Sequence, residues 1–423
     1  TPLYSSAASD VYKRQIMDYD EEEIKRKFSI RLSVGYVDYN GFNINLIDTP
    51  GYLDFAGEVH AGVRVADNAV VVIDASSGVE VGTEKYFELA KKKGIPVFVF
   101  INKMTSPEIH LDALWEELKG LFGHHVTPFQ LPIGKGANFK GVFDLVKGDI
   151  NSLPEEFKAE ALKERERFRE NIIETSEELL EKYMGGEEIK DEELIPVLKA
   201  SILRQEIIPV LFGEAKDAIG VVELLDAIVN FGASPKDVKP EVGKLSGNTV
   251  EIIPDVDGKA VAFVFKTFQE AHLGEVSIIK VLSGKIESGK EYLNSRTQRM
   301  EKINQMYIIR GADRKETSSL MAGMIGALVK LKETKTNDTL SDKDYPVEVE
   351  PIVFPEPLVS IAIVPQSRED QDKVGEGLNR LKSEDPTIDF RYDPELKQTL
   401  LWGLGEMHLD VVISRLKEKY GVN

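Results

Sequence analysis

The feature that most constrains the fold is an alternation of short apolar runs with amphipathic stretches in the first half of the chain. Apolar runs cover residues 44–47, 69–73 and 97–101, and runs of this kind are typical of buried parallel strands. A helical pattern over residues 82–93 lies between the second and the third run. Strands that alternate with helices predict βαβ units and a mostly parallel sheet.

Composition excludes several classes of protein. The 423-residue chain carries 53 basic and 72 acidic residues, a formal charge of −19, and it has no cysteine. Without cysteine it cannot be a disulfide-stapled secreted scaffold, and it cannot use a thiolate in a metal centre or in catalysis. No apolar run approaches the ~20 residues that cross a bilayer, and no signal-peptide pattern is present. A cytoplasmic protein that does not cross a membrane is therefore expected.

The negative charge is unevenly distributed. Residues 155–193 hold 15 acidic and 7 basic residues, which predicts solvated, Glu-rich helices inserted into the alternation. Residues 285–315 hold 8 basic and 4 acidic residues. That basic stretch is either a solvated face of β structure or a surface that meets RNA phosphates. The net charge therefore does not exclude an RNA partner.

Changes of pattern divide the chain into segments. The first residues show no period and are interpreted as a disordered or foreign leader. Prolines and glycines mark a linker after the α/β part, and strands with Gly-bearing turns then predict a small β-barrel. A β-α-β-β-α order at the end predicts a split βαβ domain. The resulting segments are a leader at 1–15, an α/β domain at 16–235 with a helical insert at about 150–200, a linker at 236–257, the barrel at 258–345 and the last domain at 354–423.

Three loops that follow apolar runs carry the residue types of a nucleotide site. In Asp48–Gly51 the carboxylate can hold Mg²⁺ and the glycine amide can meet a terminal phosphate. The Asn102 amide can read a purine edge, and the Lys103 stem can cover the ring. Residues 213–215 offer backbone N–H groups. Taken alone, Asp48–Gly51 is better explained as a turn, and Asn102 with Lys103 as an ordinary polar loop. Together, at the carboxyl ends of strands, the three predict a nucleotide crevice in an open α/β sheet.

Residues 16–423 resemble the translational GTPases, and among them elongation factor G and its bacterial paralogues. The motifs that carry this resemblance are Arg26–Ile30, Asp48–Gly51, Asn102–Met104, Gly213–Ala215, Glu384–Thr387 and Gly403–Asp410. The resemblance implies an α/β P-loop-type GTPase domain with a helical insert, a β-barrel domain and a ferredoxin-like α+β domain. It also implies GTP and Mg²⁺ as ligands, GTP hydrolysis, and a cytoplasmic monomer that binds the factor site of the ribosome, including ribosomal RNA.

The resemblance assigns roles residue by residue. Ser29, where the family usually has Thr, and Asp48 would hold Mg²⁺, and Gly51 would sense the terminal phosphate. Tyr52 occupies the position of the family's His, which places the attacking water. The residues that would meet the guanine base are Asn102, Lys103, Thr105 and Ala215.

This sequence departs from the family pattern at four places. No Gly-x-x-x-x-Gly-Lys-[Ser/Thr] phosphate loop occurs in the chain, so most phosphate contacts are missing, and truncation at the start is the favoured explanation. Tyr52 can hydrogen-bond a water but cannot carry a positive charge. Thr105 stands where an Asp accepts two guanine N–H groups, which puts guanine selectivity in question. Glu214 replaces a Ser, which we interpret as the milder change because the Ala215 amide does the reading.

The leading hypothesis is an incomplete elongation-factor-G-like GTPase that drives ribosomal translocation during polypeptide elongation. A ribosomal-protection factor or a specialised paralogue is the nearest alternative, and Tyr52 favours it. A ribosome-binding module with little catalysis is an alternative from another class, which Thr105, Tyr52 and the missing phosphate loop favour. The polypeptide as written is predicted to bind GTP weakly or not at all.

Overall fold

The computed structural model describes residues 16–422, apart from 271–272 and 396–397. The chain forms two compact units. One unit is residues 66–238, and the other combines the described parts of residues 1–65 and 239–423. The leader expected over residues 1–15 lies outside the described residues.

Helices and strands are mixed up to residue 231, and strands dominate after it. The helices are α1 (Glu21–Arg26), α2 (Ala56–Val65), α3 (Val81–Lys93), α4 (Leu111–Phe122), α5 (Glu155–Ile173), α6 (Glu177–Met184), α7 (Asp191–Leu203), α8 (Val221–Phe231), α9 (Arg368–Glu384) and α10 (Glu406–Tyr420). In the described part of the chain, no helix is both long enough and apolar enough to cross a membrane.

The strands up to residue 231 are β1 (Ser33–Tyr39), β2 (Phe42–Asp48), β3 (Ala69–Asp74), β4 (Val97–Asn102), β5 (Val126–Pro128), β6 (Gln130–Ile133), β7 (Gly141–Asp144) and β8 (Ile208–Phe212). Those from residue 241 to 294 are β9 (Glu241–Leu245), β10 (Asn248–Ile252), β11 (Val261–Glu270), β12 (Gly274–Ser283), β13 (Lys285–Glu287) and β14 (Glu291–Asn294). Those from residue 299 onward are β15 (Arg299–Lys302), β16 (Met306–Arg310), β17 (Asp313–Thr317), β18 (Ser319–Met321), β19 (Ile325–Val329), β20 (Thr339–Ser341), β21 (Val347–Val349), β22 (Val359–Ile363), β23 (Asp389–Asp393) and β24 (Gln398–Gly403).

The 66–238 unit is built on a four-stranded parallel sheet in the order β3-β4-β8-β5, which confirms the predicted α/β class. The central strand β4 is a continuous apolar run, and Phe98, Val99 and Ile101 within it are fully buried. Such a run is expected where both faces of a sheet are covered. The Glu-rich helices α5–α7 bury an apolar side of their own, with Phe168 and Leu198 enclosed in the same core.

The prediction that residues 44–47 form a buried parallel strand is wrong. These residues lie in β2, which pairs antiparallel with β1, and Leu46 is 38% exposed. Asn40 and Gly41 join the two strands directly, with φ of 49° and 80°. A two-residue turn with both φ values positive is the tight connection of antiparallel hairpins.

The β-rich part contains an eight-stranded sheet in the order β15-β14-β20-β11-β12-β19-β16-β17, as expected of the barrel region. The preceding segment, 236–257, is not the plain linker that its prolines and glycines predict, because it contains β9 and β10. These strands form a three-stranded antiparallel sheet with β21. Ser246 and Gly247, with φ of 51° and 86°, form the turn between them, so the glycine marks a hairpin and not a linker.

The last region, from residue 354, has the predicted β-α-β-β-α order. Its antiparallel sheet has the strand order β22-β24-β23, and α9 and α10 pack against it. Leu378, Leu401, Leu409 and Leu416, from both helices and the central strand, are buried together in its core. The α+β class expected for this region is therefore confirmed.

Candidate functional site

Two loops meet at the carboxyl ends of the neighbouring parallel strands β4 and β8. The side-chain oxygen of Asn102 accepts a hydrogen bond from the Ala215 backbone N–H at 2.9 Å. The Met104 backbone N–H donates to the Gly213 carbonyl oxygen at 3.2 Å. The two loops therefore form one hydrogen-bonded cluster at the sheet edge where open α/β sheets bind ligands. We call residues 102–106 and 213–217 the paired loops.

Lys103 connects the paired loops to the end of a third strand, β3. Its backbone is left-handed, with φ of 61°, a conformation in which strain is commonly stored at functional sites. Its ammonium lies 2.6 Å from the Asp74 carboxylate. Burial acts to raise the pKa of Asp74, but hydrogen bonds from Lys103 and Ser76 outweigh it and hold that pKa below its usual range. The Lys103 side chain stays 58% exposed, so its stem is open to a ligand.

Thr105 and Glu214 contact each other across the paired loops. The Thr105 hydroxyl donates to Glu214 Oε2 at 2.5 Å, and the Thr105 backbone N–H donates to the same oxygen at 3.3 Å. Glu214 is only 5% exposed, whereas Thr105 is exposed. In the sequence these are two separate departures from the family pattern, and the structure joins them in one contact.

Asp48 ends β2 in the other compact unit. Its surface reaches solvent, yet the protein atoms packed around it and the neighbouring Asp18 carboxylate raise its pKa to about 6. Ser29, the other predicted Mg²⁺ ligand, is half-buried, and within the described residues it makes no hydrogen bond to Asp48. Residues 16–422, as far as the structure describes them, contain no cluster of three His, Asp or Glu side chains that could hold a metal ion. Mg²⁺ bound together with phosphates needs only one or two carboxylates, so the site remains compatible with it.

Gly51 and Tyr52 form an exposed surface after Asp48. A Cβ added to Gly51 would meet no atom within 4 Å, so its backbone is open to an approaching ligand. Tyr52 is 50% exposed. Its ring packs edge-on against Phe28, with the ring centroids 5.1 Å apart. The phenol is thereby held beside the segment that carries Ser29.

Asp54 caps a helix that lies far along the chain. Its carboxylate accepts hydrogen bonds from the backbone N–H groups of Met407 at 2.9 Å and His408 at 3.4 Å, in the first turn of α10. Gly405 precedes this helix and has no side chain to cap it. A Cβ on Gly405 would lie 2.2 Å from Asp54 Oδ2, so the glycine leaves the space that the carboxylate occupies. Asp54 therefore satisfies amides that the helix itself leaves unpaired.

Glu58 of α2 forms a buried ion pair with Lys266 of β11. Glu58 Oε1 is bonded to the Lys266 ammonium, and Oε2 accepts the Leu32 backbone N–H at 2.9 Å. Lys266 is 7% exposed and also donates to the Glu384 carbonyl oxygen at 3.2 Å. A buried pair of this kind joins the elements that carry it, because separating them would leave a charge without a partner. We call Asp54, Glu58 and Lys266 the anchor residues.

Sequence reasoning missed the anchor residues, although two of them carried a signal. Glu58 stands among small and apolar residues, and Lys266 interrupts the apolar run of β11. A charge in such a run is expected to be buried with a partner, but the pattern does not name the partner. Asp54 carried no signal, since the residue whose amide it binds lies 353 positions away.

Three family models match this chain. The elongation factor Tu GTP-binding domain matches residues 3–234, elongation factor G domain 2 matches residues 259–343, and elongation factor G domain III matches residues 354–423. The chain belongs to the elongation-factor-G-like translational GTPases. The resemblance read from the sequence motifs is thereby confirmed, together with the fold class.

Relatives of this family are similar over almost the whole chain. Elongation factor G of Thermotoga maritima is 37% identical over 421 residues, which is 96% of this chain and 61% of that protein. The elongation factor G-like protein of the same organism is 36% identical over 428 residues, 100% of this chain and 63% of that protein. A crystal structure of a Thermus thermophilus protein matches with a TM-score of 0.83 and 28% identity, covering 97% of this chain and 61% of that one. The chain thus spans about three fifths of the length of the relatives it matches.

Proposed function

We propose that the whole protein binds GTP with Mg²⁺, hydrolyses it at the ribosome, and uses the hydrolysis to drive translocation during polypeptide elongation. The bond between the Asn102 side chain and the Ala215 amide carries this proposal. It fixes an amide side chain beside exposed backbone at the carboxyl ends of parallel strands, where a purine edge can be read. The exposed stem of Lys103 adds a surface that can cover the ring.

The phosphate end of the nucleotide is assigned to the segment that follows β2. The accessible Gly51 amide suits a terminal phosphate oxygen, and Asp48 with Ser29 would hold Mg²⁺. Bound Mg²⁺ supplies neutralisation of the phosphate charge. Burial and the Asp18 carboxylate both raise the pKa of Asp48, and a bound cation relieves repulsion between two such carboxylates, so Asp48 fits a cation site.

Tyr52 is proposed to contact the attacking water. A neutral phenol can donate and accept a hydrogen bond, but it cannot stabilise developing negative charge as a cation does. We therefore expect slower hydrolysis than in a family member that has His at this position.

Two observations favour the alternatives kept open by the sequence. Tyr52 and Thr105 both depart from the family pattern, and elongation factor G and the elongation factor G-like protein of Thermotoga maritima are about equally similar, at 37% and 36% identity. A ribosomal-protection factor or specialised paralogue is therefore the second candidate. A ribosome-binding module with little catalysis is the third.

The ribosome is the proposed partner, approached by a monomer in the cytoplasm. In the basic stretch 285–315, three arginines already have acidic partners within the chain. These pairs are Arg296 with Asp338, Arg299 with Glu333 and Arg314 with Glu270. Ribosomal RNA contact would therefore involve fewer free charges than the composition suggests, and we expect the salt dependence of ribosome binding to be correspondingly shallow.

The decisive experiment measures ribosome-stimulated nucleotide hydrolysis by the whole protein, with GTP and ATP compared. Stimulated hydrolysis of GTP alone supports the proposed function. Binding to ribosomes without hydrolysis would replace it with the ribosome-binding module. In the same assay we expect Tyr52→His to raise turnover, and Tyr52→Phe is the matched control because it keeps the ring against Phe28 and removes only the hydroxyl. Equal turnover in all three proteins would contradict the role of Tyr52.

A further inference from the structure

A site selects guanine over other purines when it places one carboxylate against the edge that carries the guanine N–H donors. Guanine presents two adjacent donors, the N1–H and the 2-amino group, whereas adenine presents no such pair at that edge. A carboxylate can accept both bonds, and a site built to pair them rejects analogues that lack them. The hydroxyl of Thr105 cannot accept two bonds in this way, so the acceptor must come from elsewhere if the site selects guanine.

The carboxylates around the paired loops can be compared by the hydrogen bonds that each of them already accepts. Asp74 is bonded to the Lys103 ammonium at 2.6 Å and to the Ser76 hydroxyl at 2.6 Å. Glu214 receives both bonds from Thr105 on one oxygen, Oε2. Its other oxygen, Oε1, makes no hydrogen bond within the described residues and is not enclosed. Asp217, the other carboxylate of these loops, is exposed, so Glu214 is their buried carboxylate with an accepting oxygen to spare.

We propose that Glu214 is the residue that selects guanine, and that Thr105 is the positioning residue that orients its carboxylate. This inference rests on the proposed function, since it takes a guanine nucleotide as the ligand. The family pattern has a carboxylate at position 105 and a hydroxyl at position 214, and this chain has the two groups exchanged. The two departures are then one compensated change, because a hydroxyl–carboxylate pair still joins the paired loops.

The arrangement supports this role in two ways. Glu214 is only 5% exposed, so its carboxylate is fixed among protein atoms before a ligand arrives, and little ordering remains to be done on binding. Ala215 follows it directly and has its amide fixed by Asn102 at 2.9 Å. The acceptor for the guanine N–H groups and the donor for its carbonyl oxygen would thus come from consecutive residues.

The test is nucleotide competition on the whole protein. A fluorescent guanine nucleotide is displaced by GTP, by inosine triphosphate, which lacks the 2-amino group, by xanthosine triphosphate, which has a carbonyl there, and by ATP. We expect Glu214→Gln to weaken GTP by about 10- to 100-fold, as expected for the loss of a hydrogen bond to a charged group. We also expect it to strengthen xanthosine triphosphate, because the glutamine N–H₂ can donate to the new carbonyl oxygen. A reversal of the GTP to xanthosine triphosphate order is not expected from a structural defect.

Two matched variants separate the roles. Thr105→Val keeps the shape of the side chain and removes the hydroxyl, and we expect it to weaken GTP by a few-fold to about 10-fold without improving xanthosine triphosphate. The exchange Thr105→Asp with Glu214→Ser restores the family arrangement and is expected to keep the preference for GTP. Thermal unfolding of each variant reports whether it folds.

The outcomes are distinguishable. If wild type binds guanine nucleotides and Glu214→Gln leaves the order of the competitors unchanged, Glu214 does not read the base and the proposed function stands. If wild type binds no guanine nucleotide, the proposed function fails and this inference fails with it. Should Glu214→Gln fail to fold, the exchanged variant decides: retention of the GTP preference supports the inference, and its loss in a folded protein overturns it.

Discussion

The paired loops and the 48–58 segment are held in place by different kinds of contact. In the paired loops, Asn102 and Thr105 are bonded to residues of the adjacent loop in the same compact unit. In the 48–58 segment, Asp54 is bonded to the start of α10, and Glu58 is bonded to β11. The paired loops are thus organised by their own sheet edge, whereas the 48–58 segment takes its position from the barrel and the last domain. A ligand that contacts the segment is therefore coupled to those domains.

The largest expected effect follows from removing the buried ion pair between Glu58 and Lys266. Glu58→Ala leaves the Lys266 ammonium buried without its partner, and we expect the free energy of unfolding to fall by about 3–5 kcal/mol. Denaturation in urea, followed by circular dichroism, measures the change. Asn102→Ala is the matched variant in the paired loops and removes one hydrogen bond between neutral groups. We expect it to lower the free energy of unfolding by about 1 kcal/mol or less.

Two further variants control the anchor experiment. Glu58→Leu combined with Lys266→Met removes both charges and should recover much of the lost stability, because no unpaired charge remains. Lys259→Met removes an exposed pair with Asp344 and should leave unfolding unchanged. A small effect of Glu58→Ala, equal to that of Asn102→Ala, would break the comparison between the two regions.

An intermediate effect is expected from pH, through Glu23 of α1. Glu23 is fully buried, and its Oε1 accepts the backbone N–H groups of Ile30 at 2.9 Å and Arg31 at 3.1 Å, next to Ser29. Burial raises its pKa to about 7, against the opposing effect of those two bonds. The native state therefore binds this proton more tightly than the unfolded chain. Its contribution is fully present below about pH 4.5 and is lost as the pH rises through 7, by about 3 kcal/mol in total.

Urea unfolding at about pH 5 to 8, with Glu23→Gln as the variant, measures this contribution. Glutamine keeps the accepting oxygen and removes the titration, so its stability should vary less with pH than that of wild type. The scan stays above about pH 4.5 because Asp385 titrates in the opposite sense: burial acts to raise its pKa, but the bond from His408 outweighs burial and holds it low. Parallel curves for the two proteins would show that Glu23 is charged throughout.

Of the three effects expected in the unit that contains the 48–58 segment, the smallest is that of the cap on α10. Asp54→Ala removes the acceptor for the Met407 amide, and losses of such caps typically amount to about 1 kcal/mol. Hydrogen exchange of the Met407 and His408 amides should become faster, while the amides of the paired loops keep their rates. Asp54→Asn retains an oxygen acceptor and serves as the control. Faster exchange in the paired loops as well would mean that the two regions are not independent.

The sequence predicted the sheet and the residue types at its edge better than it predicted the connections. Continuous apolar strands such as β4 are recognisable because both faces are buried, and their polar end residues then lie together. The hairpins at Asn40–Gly41 and Ser246–Gly247 were not predicted, because the neighbouring runs were interpreted without the turn dipeptides that join them. The bond between Thr105 and Glu214 spans 109 positions, a distance at which periodicity carries no information.

The cap that Asp54 places on α10 has a thermodynamic consequence. The start of α10 is stabilised by a residue from outside its own domain. Docking of that domain is therefore thermodynamically coupled to the conformation of the 48–58 segment. Linkage is reciprocal. If a ligand of the 48–58 segment raises the equilibrium constant for docking of the last domain by some factor, docking raises the affinity for that ligand by the same factor. For a cap of about 1 kcal/mol that factor is roughly fivefold. The Asp54 carboxylate therefore couples α10 to any ligand that the 48–58 segment binds.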